Sequence, residues 1–327
     1  MLKDDVLAAL IDAKRPISGA ELSRRCTVSR AAVWKAVESL RKEGYEIEGQ
    51  SAVGYRLTAL PDRLTAAELR TTDTAAVGRE VVCLDTVDST NDEVKRRALA
   101  GAETGLIVTA ETQTAGKGRR GRGFQSLSGK GLYLSVLLRP QVPLEQVSQL
   151  TAWTAVAVSR AIEGVCDVKP QIKWPNDILV EGKKLCGILT EMGVEAETGA
   201  LGYVVVGMGT NVSQTEEEFG EELCKIATSL HILGAKITRR NLAHALIAEL
   251  DKMNAAFPVG RTEYLEEHKK RCVTLGKAVK IVRPDGETTA AAEGLTEDFK
   301  LVVRREDGTR EEVSSGEVSV RGLLGYQ

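Results

Sequence analysis

Residues 116–123 read Gly-Lys-Gly-Arg-Arg-Gly-Arg-Gly, four cations and four glycines in eight positions. Glycine admits φ > 0 and lets backbone N–H groups approach a ligand, while arginine offers a planar pair of donors suited to carboxylate or phosphate. The stretch therefore describes a grip on an anion, with a phosphate ester as the expected ligand. It also spells G-x-G-x-x-G across Gly116, Gly118 and Gly121. A dinucleotide fold built on that spelling needs a strand before it, a helix opening inside it and an acidic residue about 20 positions on. Residues 106–110 supply the strand, but Phe124-Gln125-Ser126-Leu127-Ser128-Gly129 and then another strand follow. No helix opens on the glycines, so a doubly wound nicotinamide or flavin site fails on context. A solvated basic loop is the plain alternative, because runs of charge often only face water.

The chain has 327 residues, 43% of them hydrophobic, with a net charge of -2. That length suggests two or three domains, each with enough apolar content to bury a core. With so little net charge, any nucleic-acid contact must come from a local basic face. The cysteines (Cys26, Cys83, Cys166, Cys186, Cys224, Cys272) are scattered, without a CxxC pair or clustered histidines. A zinc site or disulfide framework is therefore not expected. Met1-Leu2-Lys3-Asp4-Asp5 puts acids where a signal peptide needs positive charge, and no apolar run approaches the ~18 residues that span a bilayer. A cytoplasmic location without membrane contact is expected.

Upstream of the loop, Val6, Leu7, Leu10 and Ile11 recur at helical spacing before Pro16. A second, short helix starts at Ser18, with Glu21 as a capping-box partner, and a third at Ser29, carrying Ala32, Val33, Ala36, Val37 and Leu40 up to Gly44. Residues 45–57 alternate around a glycine-bearing turn and predict a β-hairpin. Helix, helix, turn, helix, hairpin is the winged helix-turn-helix order, whose recognition helix enters a DNA major groove. Ser29, Arg30, Trp34 and Lys35 would face DNA; Arg30 would reach guanine edges, Lys35 a phosphate, and Arg24 and Arg25 the backbone. Protein-binding modules use the same three-helix unit, with Trp34 then in the core. Residues 1–60 carry 10 Lys+Arg against 8 Asp+Glu, so tight DNA binding calls for a dimer on paired half-sites.

In the centre, a strand at 81–84 leads to Asp88-Ser89-Thr90-Asn91, and Thr90-x-x-Glu93 predicts a capping box on the next helix. Ser89, Thr90 and Asn91 then sit at a positive helix end, where a carboxylate or amide-like head group fits, although plain capping explains the same residues. A strand at 131–138 and an apolar helix at 146–163 follow. Lys173-Trp174-Pro175-Asn176-Asp177 forms a proline turn, Lys183-Lys184-Leu185-Cys186-Gly187 runs into a strand, and Gly207-Met208-Gly209-Thr210-Asn211 ends a buried one. Helices are expected at about 216–232, 238–256 and 262–271, with packing roles alone. Short strands at 279–282, 301–304 and 318–321, separated by Asp285-Gly286 and Asp307-Gly308 turns, predict a small β-barrel.

In order, Asp88 to Asn91, Gln113 with 116–122, 173–177, 184–189 and 207–211 resemble the signature segments of biotin protein ligases. With the winged helix in front, the chain is similar to the bifunctional form that also represses the biotin operon. The resemblance covers nearly the whole length, and the five segments together are specific where any single one is not. It implies an α+β multidomain protein: a winged helix-turn-helix domain at 1–62, a mixed α/β catalytic domain of the class II synthetase/biotin ligase type at 63–271, and an SH3-like barrel at 272–327. The implied reaction activates biotin with ATP to biotinyl-5'-AMP and passes biotin to one lysine of a biotin carboxyl carrier protein. The adenylate would act as corepressor on operator DNA, through a homodimer formed in the liganded state.

By the same resemblance, Ser89, Thr90, Asn91 and Gln113 hold the biotin rings, Lys117, Gly118 and Arg119 lie over its carboxylate side, and Gly187 joins the biotin-binding set. Arg119 clamps the adenylate, Arg120 and Arg122 meet phosphate, and Phe124 covers adenine. Lys184 binds the biotin carboxylate and the α-phosphate. Lys173 joins the ATP-binding set, Asn176 and Asp177 orient phosphate and Mg2+, and Asn211 orients the nucleotide. Asp177 is also the candidate base for the acceptor lysine, and Glu317 and Arg321 would assist ATP or carrier binding or form a structural ion pair. Many relatives have arginine at Lys117, which loses bidentate geometry here, and some have tryptophan at Phe124, a larger stacking platform. The rival functions are lipoate or octanoate transfer on a related fold and a repressor that senses a small carboxylate without catalysis.

Overall fold

The computed structural model describes residues 2–13, 15–50, 53–71, 73–195, 197–283, 286–314 and 319–322, the last four and Gln50 by backbone alone. The chain divides into two compact units, Met1–Arg70 and Thr71–Gln327. The first holds α1 (Leu2–Ile11), α2 (Gly19–Arg25), α3 (Arg30–Lys42), the antiparallel hairpin of β1 (Glu46–Gln50) and β2 (Gly54–Ala59), and α4 (Ala66–Leu69). Ser18 and Ser29 accept from Glu21 N and Ala32 N, so each satisfies an otherwise orphaned first-turn amide. The Ser18 box closes on that side alone, because the Glu21 carboxylate pairs with Arg25 at 2.7 Å. Val33, Ala36, Val37 and Leu40 form one core with Val6, Leu7, Leu10, Leu22 and Ile47. Trp34 is 54% exposed and does not fill that core. The first unit runs past residue 62 to Arg70 because α4 packs on α1.

In the second unit come β3 (Val81–Val87), α5 (Thr90–Leu99), β4 (Ile107–Gln113), β5 (Gly131–Leu138), α6 (Leu144–Val147), α7 (Gln149–Val165), β6 (Gln171–Lys173), β7 (Asp177–Val180), β8 (Lys183–Val194) and β9 (Leu201–Asn211). They make one mixed sheet in the order β3-β4-β5-β9-β8-β7-β6. β3 and β4 are parallel through the α5 crossover, and every other neighbouring pair is antiparallel. All residues of β5 are buried, which matches its apolar runs Leu132-Tyr133-Leu134 and Val136-Leu137-Leu138 on either side of Ser135.

α8 (Glu216–Leu223) is followed by α9 (Arg239–Ala256) and α10 (Arg261–Arg271), and the last two pack on α7. The helix expected at 216–232 stops at Leu223, and Gly220 already leaves helical geometry with φ 71°. The following turns bond to β8 instead, through Lys184 N to Ile226 O and Thr228 N to Lys184 O.

The chain ends in an antiparallel sheet of β10 (Ala278–Arg283), β11 (Gly286–Leu295), β12 (Leu301–Arg304), β13 (Arg310–Val313) and β14 (Ser319–Gly322), ordered β13-β12-β11-β10-β14. β11 and β13 escaped the sequence pattern: Gly-Glu-Thr-Thr-Ala-Ala-Ala-Glu and Arg-Glu-Glu-Val are poor in the aliphatic and aromatic residues that mark strands. Asp285 and Glu317 lie outside the described residues, as does the side chain of Arg321. Trp174 ties this region to the central sheet, its Nε1 donating to Phe299 O at 2.9 Å and its backbone N to Thr274 Oγ1 at 3.0 Å.

His268 on α10 is 0% exposed and lies edge-on to Phe299 at 5.8 Å. Neither ring nitrogen has a hydrogen-bond partner among the described residues. Burial pushes its pKa from 6.5 down to about 4, so the fold keeps it neutral while the unfolded chain takes up a proton. Its contribution is complete above the unfolded value and is lost as pH falls toward the folded one, by roughly 3 kcal/mol. His268→Leu is expected to remove this part of the acid sensitivity. Thermal unfolding that steepens equally in variant and wild type over that window would refute the assignment.

Candidate active site

Ser89, Thr90 and Asn91 are all buried at the start of α5, but they do not cap it. Ser89 makes no side-chain cap bond, and Glu93 pairs with Arg96 and Arg97 instead of closing a box on Thr90. Gln113, from the end of β4, takes the capping role: its Oε1 accepts from Thr90 N at 2.8 Å and Thr90 Oγ1 at 3.0 Å. Its Nε2 donates to Ser126 Oγ at 2.8 Å. Asn91 Nδ2 donates to Glu191 Oε2 at 2.8 Å, and Asn91 Oδ1 lies 2.6 Å from Ser135 Oγ. Relieved of capping, the polar groups of 89–91 line a small cavity at the positive end of α5. Gly187, Gly207 and Gly209 form its sheet side.

Glycine is required at two of these positions by close approach. A Cβ at Gly207 would stand 2.1 Å from Asn91 Oδ1, and one at Gly209 would stand 2.5 Å from Phe124 Cζ. Phe124 thereby packs closely against the sheet, edge-on to Tyr133 at 6.2 Å.

The glycine-arginine loop folds back on itself through Gly118 N to Arg122 O at 2.7 Å and Phe124 N to Gly116 O at 2.8 Å. Only a 3-10 turn forms at Arg119–Gly121, with Arg120 in the left-handed region at φ 57°. That turn sends neighbouring cations in different directions. Lys117 Nζ pairs with Asp92 at 2.6 Å, and Arg120 Nη1 donates to Val282 O on β10 at 3.2 Å. Arg119 turns inward and donates to Asn176 Oδ1 at 3.0 Å. Burial pushes the Arg119 pKa below its ordinary value, while the Asp177 charge acts in the opposite sense.

A wider, open groove adjoins the small cavity. Arg119, Arg120 and Arg122 line one side and Lys173, Asn176 and Asp177 another. Lys184 Nζ lies 2.7 Å from Asp177 Oδ1, and Asn176 Nδ2 donates to Ile188 O at 3.0 Å, so β7 and β8 position the three together. Asn211 reaches the same groove but spends its Nδ2 on Thr228 O at 3.0 Å. Gln113, Gly118, Arg119, Phe124, Asn176 and Lys184 line both cavities, which therefore meet at the inward arginine and the lysine.

The sequence expectation missed a third side of the groove: Phe219, Leu223 and Ile226. Leu223 and Ile226 are more than a third exposed. Their signal was available as apolar residues at three- and four-residue spacing in an otherwise acidic segment, but the chain beyond α8 lacks the long buried face of a packing helix. Among the described residues there is no cluster of three His, Cys, Asp or Glu side chains able to hold a metal alone.

On the first unit, Arg24, Arg25, Ser29, Arg30, Trp34 and Lys35 are all exposed. Arg30, Trp34 and Lys35 project from α3 with Ser29 at its N-cap, while Arg25 is engaged by Glu21.

Residues 83–211 match the Biotin/lipoate A/B protein ligase family, residues 3–56 an HTH domain and residues 274–321 the Biotin protein ligase C terminal domain. The Bifunctional ligase/repressor BirA of Bacillus spizizenii is 42% identical over 238 residues, covering 72% of this chain and 73% of the relative. The chain belongs to the bifunctional biotin ligase/repressor family. Its relative of the same description in Escherichia coli is 29% identical over 306 residues, with 93% of this chain and 92% of that one covered. The biotin protein ligase from Aquifex aeolicus solved with biotin and ATP superposes with a TM-score of 0.64 at 29% identity, over 75% of this chain and 99% of that one. In this biotin ligase/repressor chain the ligase match contains all residues lining the small cavity, whereas Phe219, Leu223 and Ile226 fall beyond it. No helix among the described residues is long and apolar enough to cross a membrane.

Proposed function

We propose that this chain is an ATP-dependent biotin ligase and a DNA-binding repressor, with biotin in the small cavity and ATP in the adjoining groove. The observation that carries the ligase half is the meeting of the two cavities at Arg119 and Lys184. A biotin carboxylate oxygen attacks the α-phosphorus, the bond to pyrophosphate breaks, and biotinyl-5'-AMP and pyrophosphate form. Two anions must approach for this, and fixed cations at the junction lower that barrier; one well-placed donor to developing charge is worth about 3–4 kcal/mol. The ε-amine of the carrier lysine then attacks the acyl carbon, AMP leaves, and the amine gives up a proton.

Ser89, Thr90, Asn91 and Gln113 hold the rings, with Lys117, Gly118 and Gly187 along the chain to the carboxylate. Arg120, Arg122, Lys173 and Asn176 receive phosphates, and Phe124 with Phe219, Leu223 and Ile226 encloses the base. Asn211, engaged with Thr228, holds the nucleotide side of the loop. Asp177 is the one carboxylate lining either cavity among the described residues, which makes it the candidate base and the neighbour of a metal. A single carboxylate paired to Lys184 does not make a metal shell, so Mg2+ fits here as an ion carried by the triphosphate. It would neutralise the departing pyrophosphate.

The N-terminal unit faces the operator with Ser29, Arg30, Trp34 and Lys35, Arg30 reading guanine edges and Lys35 on a phosphate, with Arg24 and Arg25 on the backbone, as a homodimer brought together by the adenylate. We assign the functional domains to 1–62, 63–271 and 272–327, the last as an SH3-like barrel, and the site of action to the cytoplasm, where the carrier and the operator are both present.

Incubating the protein with ATP and biotin, lipoate or octanoate, and measuring pyrophosphate, tests the proposal. Release with biotin is expected, together with a shift to a dimer on sedimentation. Release with lipoate alone would reassign the acid, silence with every acid would leave a non-catalytic sensor, and an unchanged sedimentation coefficient would count against the liganded dimer.

A further inference from the structure

Three of the loop's cations reach three different elements: Lys117 to α5, Arg119 to the turn between β6 and β7, and Arg120 to β10. Arg119 and Arg120 both line the groove, so phosphates entering there compete for their present contacts. Asp92 lines neither cavity and offers a charged acceptor to the loop. Lys117 lines the small cavity while its partner stands outside it, so the pair fastens the loop to α5 at the edge of that cavity. We infer that Asp92 is a positioning residue of the ligase site, latching the glycine-rich loop over the small cavity through Lys117, an inference that rests on the ligase function above.

Two features of Asp92 suit it to this task. It sits in the first turn of α5, where the helix dipole favours a negative charge. It is also one link in a chain of charges: Asp92 lies 3.2 Å from Lys95 Nζ, Lys95 lies 2.5 Å from Glu191 Oε1, and Glu191 Oε2 accepts from Asn91 Nδ2 at 2.8 Å. The chain begins at Lys117 on the loop and ends at Asn91 inside the cavity, so one set of contacts sets both the lid and the polar group beneath it. Burial pushes the Asp92 carboxyl up, but its bonds to Lys117 and Lys95 outweigh this and hold it below the usual range. The hydrogen bonds inside the loop, Gly118 to Arg122 and Gly116 to Phe124, shape it without fastening it to α5.

Asp92→Asn keeps the side-chain size and removes the charge. Part-exposed ion pairs are worth up to ~1 kcal/mol, so biotin KM and the rate of biotinyl-5'-AMP release from the filled protein should each rise about 5-fold. The kcat for carrier labelling and the thermal midpoint should stay near wild type, and Asp92→Glu should restore most of the retention. Lys117 itself lines the small cavity, so the pair is isolated by a double variant: Asp92→Asn added to Lys117→Met should raise adenylate release no further than Lys117→Met alone. Unchanged KM and release in Asp92→Asn would overturn the inference, as would losses in KM and kcat that simply follow a fall in thermal midpoint. Wild-type protein that forms no adenylate would instead overturn the ligase function itself.

Discussion

Lys184→Ala is expected to lower biotinyl-5'-AMP formation by about 10^3-fold or more, to the background of a pyrophosphate-release assay, and to end labelling of a carrier domain. Lys184 lines both cavities and lies 2.7 Å from Asp177 Oδ1, so it faces the position where carboxylate and α-phosphate must meet. Its removal has two costs of the same sign. One is the loss of a fixed cation at developing charge, about 3–4 kcal/mol. The other is the Asp177 carboxylate, which then repels both incoming anions without that ammonium beside it. Gly187 leaves the space in which Lys184 extends, since a Cβ there would be 3.0 Å from Lys184 Nζ. Lys184→Arg retains the charge and should recover part of the rate. Turnover near wild type in Lys184→Ala would remove the lysine from the reacting bond and, with it, the main support for the ligase chemistry.

The second large effect is expected from Gly207→Ala, which should raise the biotin dissociation constant roughly 10- to 100-fold and cost about 1–3 kcal/mol of stability. The new Cβ falls 2.1 Å from Asn91 Oδ1 and 2.9 Å from Asn91 Cγ. Asn91 cannot step aside cheaply: it is 3% exposed and held by Glu191, Leu189 and Ser135. Overpacking at this position therefore pushes a polar group into the cavity or breaks its bonds. Adding Asn91→Ala should return much of the thermal stability without returning biotin affinity. Calorimetric titration that finds wild-type affinity in Gly207→Ala would exclude Asn91 as a wall of the biotin site.

Much of this site was legible before any coordinates. The segments at 88–91, 113–122, 173–177, 184–189 and 207–211 each contribute residues to two joined cavities. The winged unit was also legible, because Ser18, Ser29 and the apolar stripe of α3 act over three or four residues. What failed were local rules overridden from a distance. Thr90-x-x-Glu93 has the spelling of a capping box, yet Gln113, 23 residues on, supplies the acceptor and releases Thr90 to the cavity. The helix that periodicity extended to 232 likewise stops at Leu223, kinked at Gly220, and Phe219, Leu223 and Ile226 form a side of the groove.

The sequence by itself determined which segments build the protein and which chemistry they could perform, because caps, strand runs and the cation-glycine loop are short-range facts of hydrogen bonding and sterics. Only the tertiary structure decided what each charge does. Lys117, Arg119 and Arg120 are near-equivalent in the sequence but are sent to Asp92, Asn176 and Val282 by one left-handed residue and by the sheet order that brings those partners near. Lys95 meets Glu191 from 96 positions away for the same reason. Ion pairs depend on distance in space, and the chain order of residues does not encode that distance until the sheet has formed.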